Sequence, residues 1–216
     1  MAIPSRQIGW STESNLLWQI LKQLTRLTST LFSLKEAATP KYKVYTALLT
    51  QSGGDNILPI NTGDLTIGVT YLINDSSVGM DFTNVGAPNN DSGTYFVATG
   101  TTPNSWGIDE GGPGILLYNT GAPVVTVLEN TIGNIWFTYQ DVGNYIVNSN
   151  GLFTANKTIP QMLPEGYTED SENIYSYECF PTDTNSIGIR TLSKSVSTDN
   201  LLGAYAQNAI EIKVYN

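Results

Sequence analysis

The chain has 216 residues, 40% of them hydrophobic, enough for one substantial core and a smaller second one. It holds one cysteine and no histidine, which excludes a disulfide within the chain, a Ser-His-Asp or Cys-His catalytic arrangement, and a structural zinc site. Its net charge of −9 divides into +4 over residues 1–43 and −13 over the rest, with no lysine or arginine between Lys43 and Lys157, so a nucleic-acid groove built from the body would repel the phosphates it needs.

No stretch approaches eighteen consecutive apolar residues, so no membrane-spanning helix is expected. The first residues, Met1 to Arg6, lack the charged start and apolar run of a secretory signal, and synthesis in a cytoplasm is the expectation.

The first element is a helix from about Thr12 to Ala38. Ser11 and Thr12 are good N-cap residues, and Glu13 sets a negative charge near the positive end of the helix dipole. Leu17, Ile20, Leu24, Leu27, Leu31 and Leu34 then recur at spacings of 3, 4, 3, 4 and 3, the a/d pattern of a coiled coil. Leu21 falls at e, with Trp18 and Phe32 at b, so the stripe is wider than a two-stranded seam requires. Leucine at a with isoleucine at d, as at Leu17 and Ile20, tends toward more than two strands. Gln23, Thr28 and Thr30 occupy flanking e and g positions where an ion-pair ladder would otherwise choose the partner.

Pro40 ends the helix, and Lys35 suits its last turns. Such a helix, roughly 39 Å long at 1.5 Å per residue, is marginal alone in water. Either the chain's own β body or another chain must cover the leucines. The position of the stripe before a proline-marked exit favours another chain.

From Lys41 the period becomes 2. Strands are predicted at 42–50, 65–73, 95–99, 115–118, 124–128, 135–139 and 144–147, with clusters of Gly, Asn, Asp and Ser between them. Residues 157–172, with Pro160 and Pro164, read as a linker. Further strands are expected at 174–180, 187–192 and 209–215. In the last, Ile210, Ile212 and Val214 face one side while Glu211 and Lys213 face water. Short strands at this spacing predict a mainly β fold: an N-terminal α-helix, expected in a trimeric bundle or coiled coil, followed by an antiparallel sandwich-like body.

Catalytic signals are sparse. The neighbouring acids Asp109 and Glu110, and Glu169, Asp170 and Glu172, sit in turn-rich stretches where solvated charge is the ordinary reading. Neither a calcium-loop pattern nor a phosphate-loop motif is present. No cofactor or metal is expected, and Cys179 reads as a small buried hydrophobe. Trp106, in a glycine-rich loop, is the one candidate for stacking on a sugar ring.

The opening IPSRQIGWSTESNLLW (residues 3–18) resembles the N-terminus of virion proteins from tailed phages of Bacteroidetes, the crAss-like phages among them. YKVYTALLTQSG (42–53), LTIGVTYLINDSSVGMDFTNVG (65–86), GAPVVTVLENTIG (121–133) and AIEIKVYN (209–216) extend the likeness over about half the chain. The resemblance implies a non-enzymatic structural protein of the virion, most simply a head fibre or capsid-decoration protein. A tail or baseplate fibre, or a carbohydrate-binding receptor-recognition module, is the rival.

It further implies a homotrimer, attached to the major capsid protein or another virion protein through the N-terminal segment. A host surface glycan is an optional partner; nucleic acid and membrane are not expected partners. On this reading residues 1–40 form the helical anchor, 41–158 a β domain with an insertion at about 54–121, and 159–216 a C-terminal β region. Leu17, Trp18, Ile20, Leu21, Leu24, Leu27, Leu31 and Leu34 would carry attachment and oligomerisation.

Overall fold

The change of period near residue 41 is where the chain divides into two compact units, Met1–Lys41 and Tyr42–Asn216. The computed structural model describes residues 12–38, 41–107, 112–163, 175–203 and 208–216, with helix side chains described from 15 to 32. Strands make up 47% of the chain and helix 12%, so the fold is mainly β. The first unit is a single helix, α1 (Thr12–Ala38). Ser11, Pro40 and the acids at 109–110 and 169–172 lie outside the described residues.

The second unit is built from antiparallel strands. In chain order they are β1 (Tyr42–Thr50), β2 (Ile57–Ile60), β3 (Thr70–Asp75), β4 (Met80–Asp81), β5 (Tyr95–Val97), β6 (Ser105–Trp106), β7 (Ile115–Asn119) and β8 (Val124–Asn130). There follow β9 (Ile135–Asp141), β10 (Asn144–Ser149), β11 (Thr158–Leu163), β12 (Tyr175–Pro181), β13 (Ser186–Ser193), β14 (Val196–Ser197) and β15 (Asn208–Tyr215).

Two sheets face each other, one ordered β11-β15-β1-β8 and the other β12-β13-β10-β9, with β14 beside β13. Alternation decides which side chains lie between them. Tyr45, Ala47 and Leu49 of β1 and Ile210, Ile212 and Val214 of β15 turn inward, meeting Phe137, Tyr145, Val147, Ile187 and Ile189 from the other sheet in one core. The β1–β15 register pairs Tyr45 with Ile212 and Ala47 with Ile210. Residues 159–216 are woven into both sheets: β11 and β15 join β1 and β8, while β12 and β13 join β9 and β10.

Between β1 and β8 the chain builds a third sheet, β2-β7-β3-β5, and the short pair β4-β6. Leu65, Tyr71, Ile73, Phe82, Phe96 and Leu116 form its own apolar cluster. The two ends of this insert cross backbone against backbone. At Gly121 a Cβ would lie 2.8 Å from the Gly54 carbonyl carbon and 2.7 Å from Tyr139 Cδ2. The Thr120 hydroxyl donates to the Gly54 carbonyl at 3.0 Å, and Asn119 Nδ2 donates to Asp55 Oδ1 at 2.7 Å.

The insert also occupies the open side of the sandwich. Strands β8 and β9 are each one of the two edge strands of their sheets. The Val125 N–H of β8 donates to the Gly68 carbonyl at 2.9 Å, and the Phe137 N–H of β9 donates to Thr70 Oγ1 at 3.2 Å. Edge groups that would otherwise invite another strand are thereby satisfied from within the chain.

Apart from the two-residue strands β4, β6 and β14, for which no strand was expected, three strand readings differ from the sequence expectation. The stretch 65–73 is not one strand, because Gly68 turns the chain at φ +84° and β3 starts at Thr70. Residues 158–163, read as linker, form β11, whose Met162 enters the core. Strand β2 was not anticipated. Strands β2 and β11 each carry a proline (Pro59, Pro160), and both are sheet edges, where a missing N–H breaks no ladder.

A polar network pins the segment at 199–202. Asp199 accepts from the Tyr139 hydroxyl at 2.8 Å and from the Gly143 N–H at 2.7 Å. The Tyr145 hydroxyl lies 3.0 Å from Asp199 Oδ1 and 2.9 Å from Gln51 Oε1, donating between them. Burial, and then the Asp199 carboxylate, pushes Tyr139 up to about 12 and raises Tyr145 as well; burial alone raises Tyr45.

Two expectations follow. A methyl at Gly68 would meet the Val125 carbonyl oxygen at 2.4 Å, whereas Gly63, at φ +85°, has open space around it. Gly63→Ala should therefore cost about 1 kcal/mol of backbone strain and Gly68→Ala about 3 kcal/mol or more, read from urea midpoints. The raised tyrosines bind their protons more tightly folded than unfolded. Their contribution to stability is complete below pH about 10 and declines as the pH rises from 10 through 12. Urea unfolding at pH 8, 10 and 11 checks the sign.

Candidate self-association surface

Every side chain described on α1, from Asn15 to Phe32, is exposed in the single chain. Leu17, Trp18, Ile20, Leu21, Leu24, Leu27 and Leu31 retain between 46% and 67% of their accessible surface. The side chain of Leu34 lies outside the described residues. Two further apolar residues belong to the surface: Phe32, and Leu16 at the g position, which heptad reading by a and d alone passes over.

At 100° per residue, the positions from Leu16 to Phe32 that surround the a/d row span about 160° of the helix, with Trp18 beyond that margin. That width exceeds a two-stranded seam and suits a helix contacting more than one neighbour.

Local chemistry makes this surface usable as an interface. The Thr25 hydroxyl donates to the Leu21 carbonyl at 2.8 Å, Thr28 to Leu24 at 2.7 Å, and Thr30 to Arg26 at 2.8 Å. These hydroxyls satisfy themselves on the helix's own carbonyls, so their burial against a neighbour leaves no unpaired donor. Between Leu16 and Phe32 the e and g positions hold Leu16, Leu21, Gln23, Thr28 and Thr30, so identical helices side by side meet no like charges along that stretch; Lys35 falls at the next e position. Lys22 Nζ lies 3.6 Å above the Trp18 ring, one turn away, occupying a face of that ring.

Trp106 is placed otherwise than a loop residue waiting for sugar. It is half-buried against the insert core, edge-on to Phe82 at 5.1 Å between centroids, and its Nε1–H donates to the Gly63 carbonyl at 3.2 Å. Cys179 is half-buried beside the main core, and burial pushes its thiol up. Among the described residues there is no group of three or more acids or cysteines placed to hold a metal ion, and no helix is long and apolar enough to cross a membrane.

The seam between the insert and the sandwich carries three adjoining hollows of about 170, 120 and 420 Å³. Tyr95 borders the first and second; Pro88 and Asn134 border the second and third. Tyr95 of β5 and Trp136 of β9 lie parallel there, 5.6 Å between centroids and 6° between planes. No sequence signal singled them out, because alternation shows that Trp136 points away from the core but not what lies opposite.

No family model, curated protein or solved structure matches the chain.

A 27-residue helix with its leucines in water gains most of its stability from packing. A peptide of residues 12–38 should therefore show helicity, by circular dichroism, that rises with concentration from the micromolar to the millimolar range. Leu24→Asp should remove the concentration dependence.

Proposed function

We propose that this chain is a non-enzymatic structural protein of a phage particle, a head fibre or capsid-decoration protein held in place through α1. The observation that carries the reading is the continuous row of exposed apolar side chains on that helix. Fully burying each leucine is worth about 1.5–3 kcal/mol, so a handful of them supplies ample driving force for assembly. The uncharged e and g positions from Leu16 to Phe32 and the breadth of the stripe support three identical helices. Trimerisation uses part of the stripe, and the outlying Trp18 and the margins at Leu16 and Phe32 are left for a virion protein.

The body supports the same reading by its chemistry. It is acidic, histidine-free and built on two apolar cores, which suits a durable displayed module. The sequence likeness to virion proteins points the same way. A tail or baseplate fibre has the same local requirements, and position in the particle separates the two.

Sedimentation equilibrium of the whole chain should give a species of three 23.5 kDa copies. Leu24→Asp with Leu27→Asp should reduce it to single chains and abolish incorporation into particles. Electron microscopy of intact particles should place the wild-type density on the head. A chain solitary in solution and absent from particles overturns the proposal.

A further inference from the structure

We infer that the seam between the insert and the sandwich is a binding site for a neutral oligosaccharide, with Tyr95 and Trp136 as its stacking platform. The first ground is electrostatic. The body carries a formal −13, yet none of the residues lining the three hollows is charged. A nucleotide, phosphate or acidic sugar needs cations that this lining lacks. A neutral ligand bearing many hydroxyls needs amides, hydroxyls and flat apolar faces.

The second ground is the chemistry left over after the fold has taken what it needs. Asn134 Nδ2 donates to the Tyr95 carbonyl at 2.9 Å, which fixes the amide and leaves its Oδ1 as an acceptor. Asn89 Oδ1 accepts from the Asp91 N–H and holds the Thr94 hydroxyl, leaving its Nδ2 as a donor. The exposed Asn150 side chain has no hydrogen-bond partner among the described residues. Donor and acceptor amides thus converge around a half-buried aromatic pair, the arrangement that a pyranose, with one apolar face and a rim of hydroxyls, complements. Tyr95 and Trp136 sit on strands held by both cores, so the platform is formed before any ligand arrives.

The competing account is that the aromatic pair merely glues insert to sandwich. That account gives no reason for uncommitted amides or for the lack of charge. The site uses no part of α1, and its failure would leave the virion reading standing.

The test is to probe the full chain with an array of neutral and acidic oligosaccharides, then to titrate the best neutral binder by calorimetry. Saturable binding of a neutral oligosaccharide is expected. It should weaken at least tenfold in Trp136→Ala and at least threefold in Asn150→Ala, an exposed change that leaves the fold intact. Trp106→Ala should bind as wild type does. Three results overturn the inference: no neutral oligosaccharide bound at millimolar concentration, binding of acidic sugars alone, or undiminished binding in Asn150→Ala. Loss of binding in Trp106→Ala with native circular dichroism would overturn it too, by moving the site to the insert's own core edge.

Discussion

The constraint on which the rest depends is that water does not tolerate α1 as it stands in one chain. Its row of leucines is exposed throughout the described length, and neither helix propensity nor ion pairs compensate. Thr25, Thr28, Ser29 and Thr30 are mediocre helix formers, and their hydroxyls bond to the helix's own carbonyls. Those internal bonds do little for an isolated helix but remove the cost of burying a threonine against a neighbour. A segment so composed is specified for an interface more strongly than for solution, and this is why the proposed role starts from the helix.

The body solves a different problem, that of open sheet edges. A two-sheet sandwich leaves four, and at β8 and β9 they are met by the insert, whose Gly68 and Thr70 accept the Val125 and Phe137 N–H groups. Gly68 is indispensable to this because no side chain fits against the Val125 carbonyl. The insert is therefore more than an elaboration of a loop. It has its own apolar cluster, closes one side of the sandwich, and in doing so creates the uncharged seam. β9 serves both parts at once: Ile135 and Phe137 enter the main core while Trp136, between them, faces Tyr95.

Much of this was legible in the residues. The 3-4 leucine spacing placed the helix and its outward row, and the alternation of Ile210, Ile212 and Val214 placed the last strand and its inward face. The misses share a physical cause, since local signals report propensity but not neighbours. Pro160 stood in what read as a linker although its strand exists as a sheet edge, as does the unanticipated strand holding Pro59, and Gly68 sat inside what read as one continuous strand because its reason is a distant carbonyl. Trp106 attracted attention as an aromatic among glycines, although its ring is half-buried against Phe82 and its N–H already bonded. The Tyr95–Trp136 pair joins residues 41 positions apart in sequence, and only the fold brings them together.

Charge links the two units without any contact between them being required. Copies of a body with a formal −13 repel one another, strongly within a Debye length of about 8 Å at physiological salt and weakly beyond it. Assembly through the body would have to overcome that repulsion, and at β8 and β9 it would also have to displace hydrogen bonds already made. Assembly through α1 displaces no such hydrogen bonds, and from Leu16 to Phe32 the e and g positions beside its apolar row carry no charge. The same acidity that keeps bodies apart sets off the uncharged lining of the seam, and that contrast is what the inferred neutral ligand rests on.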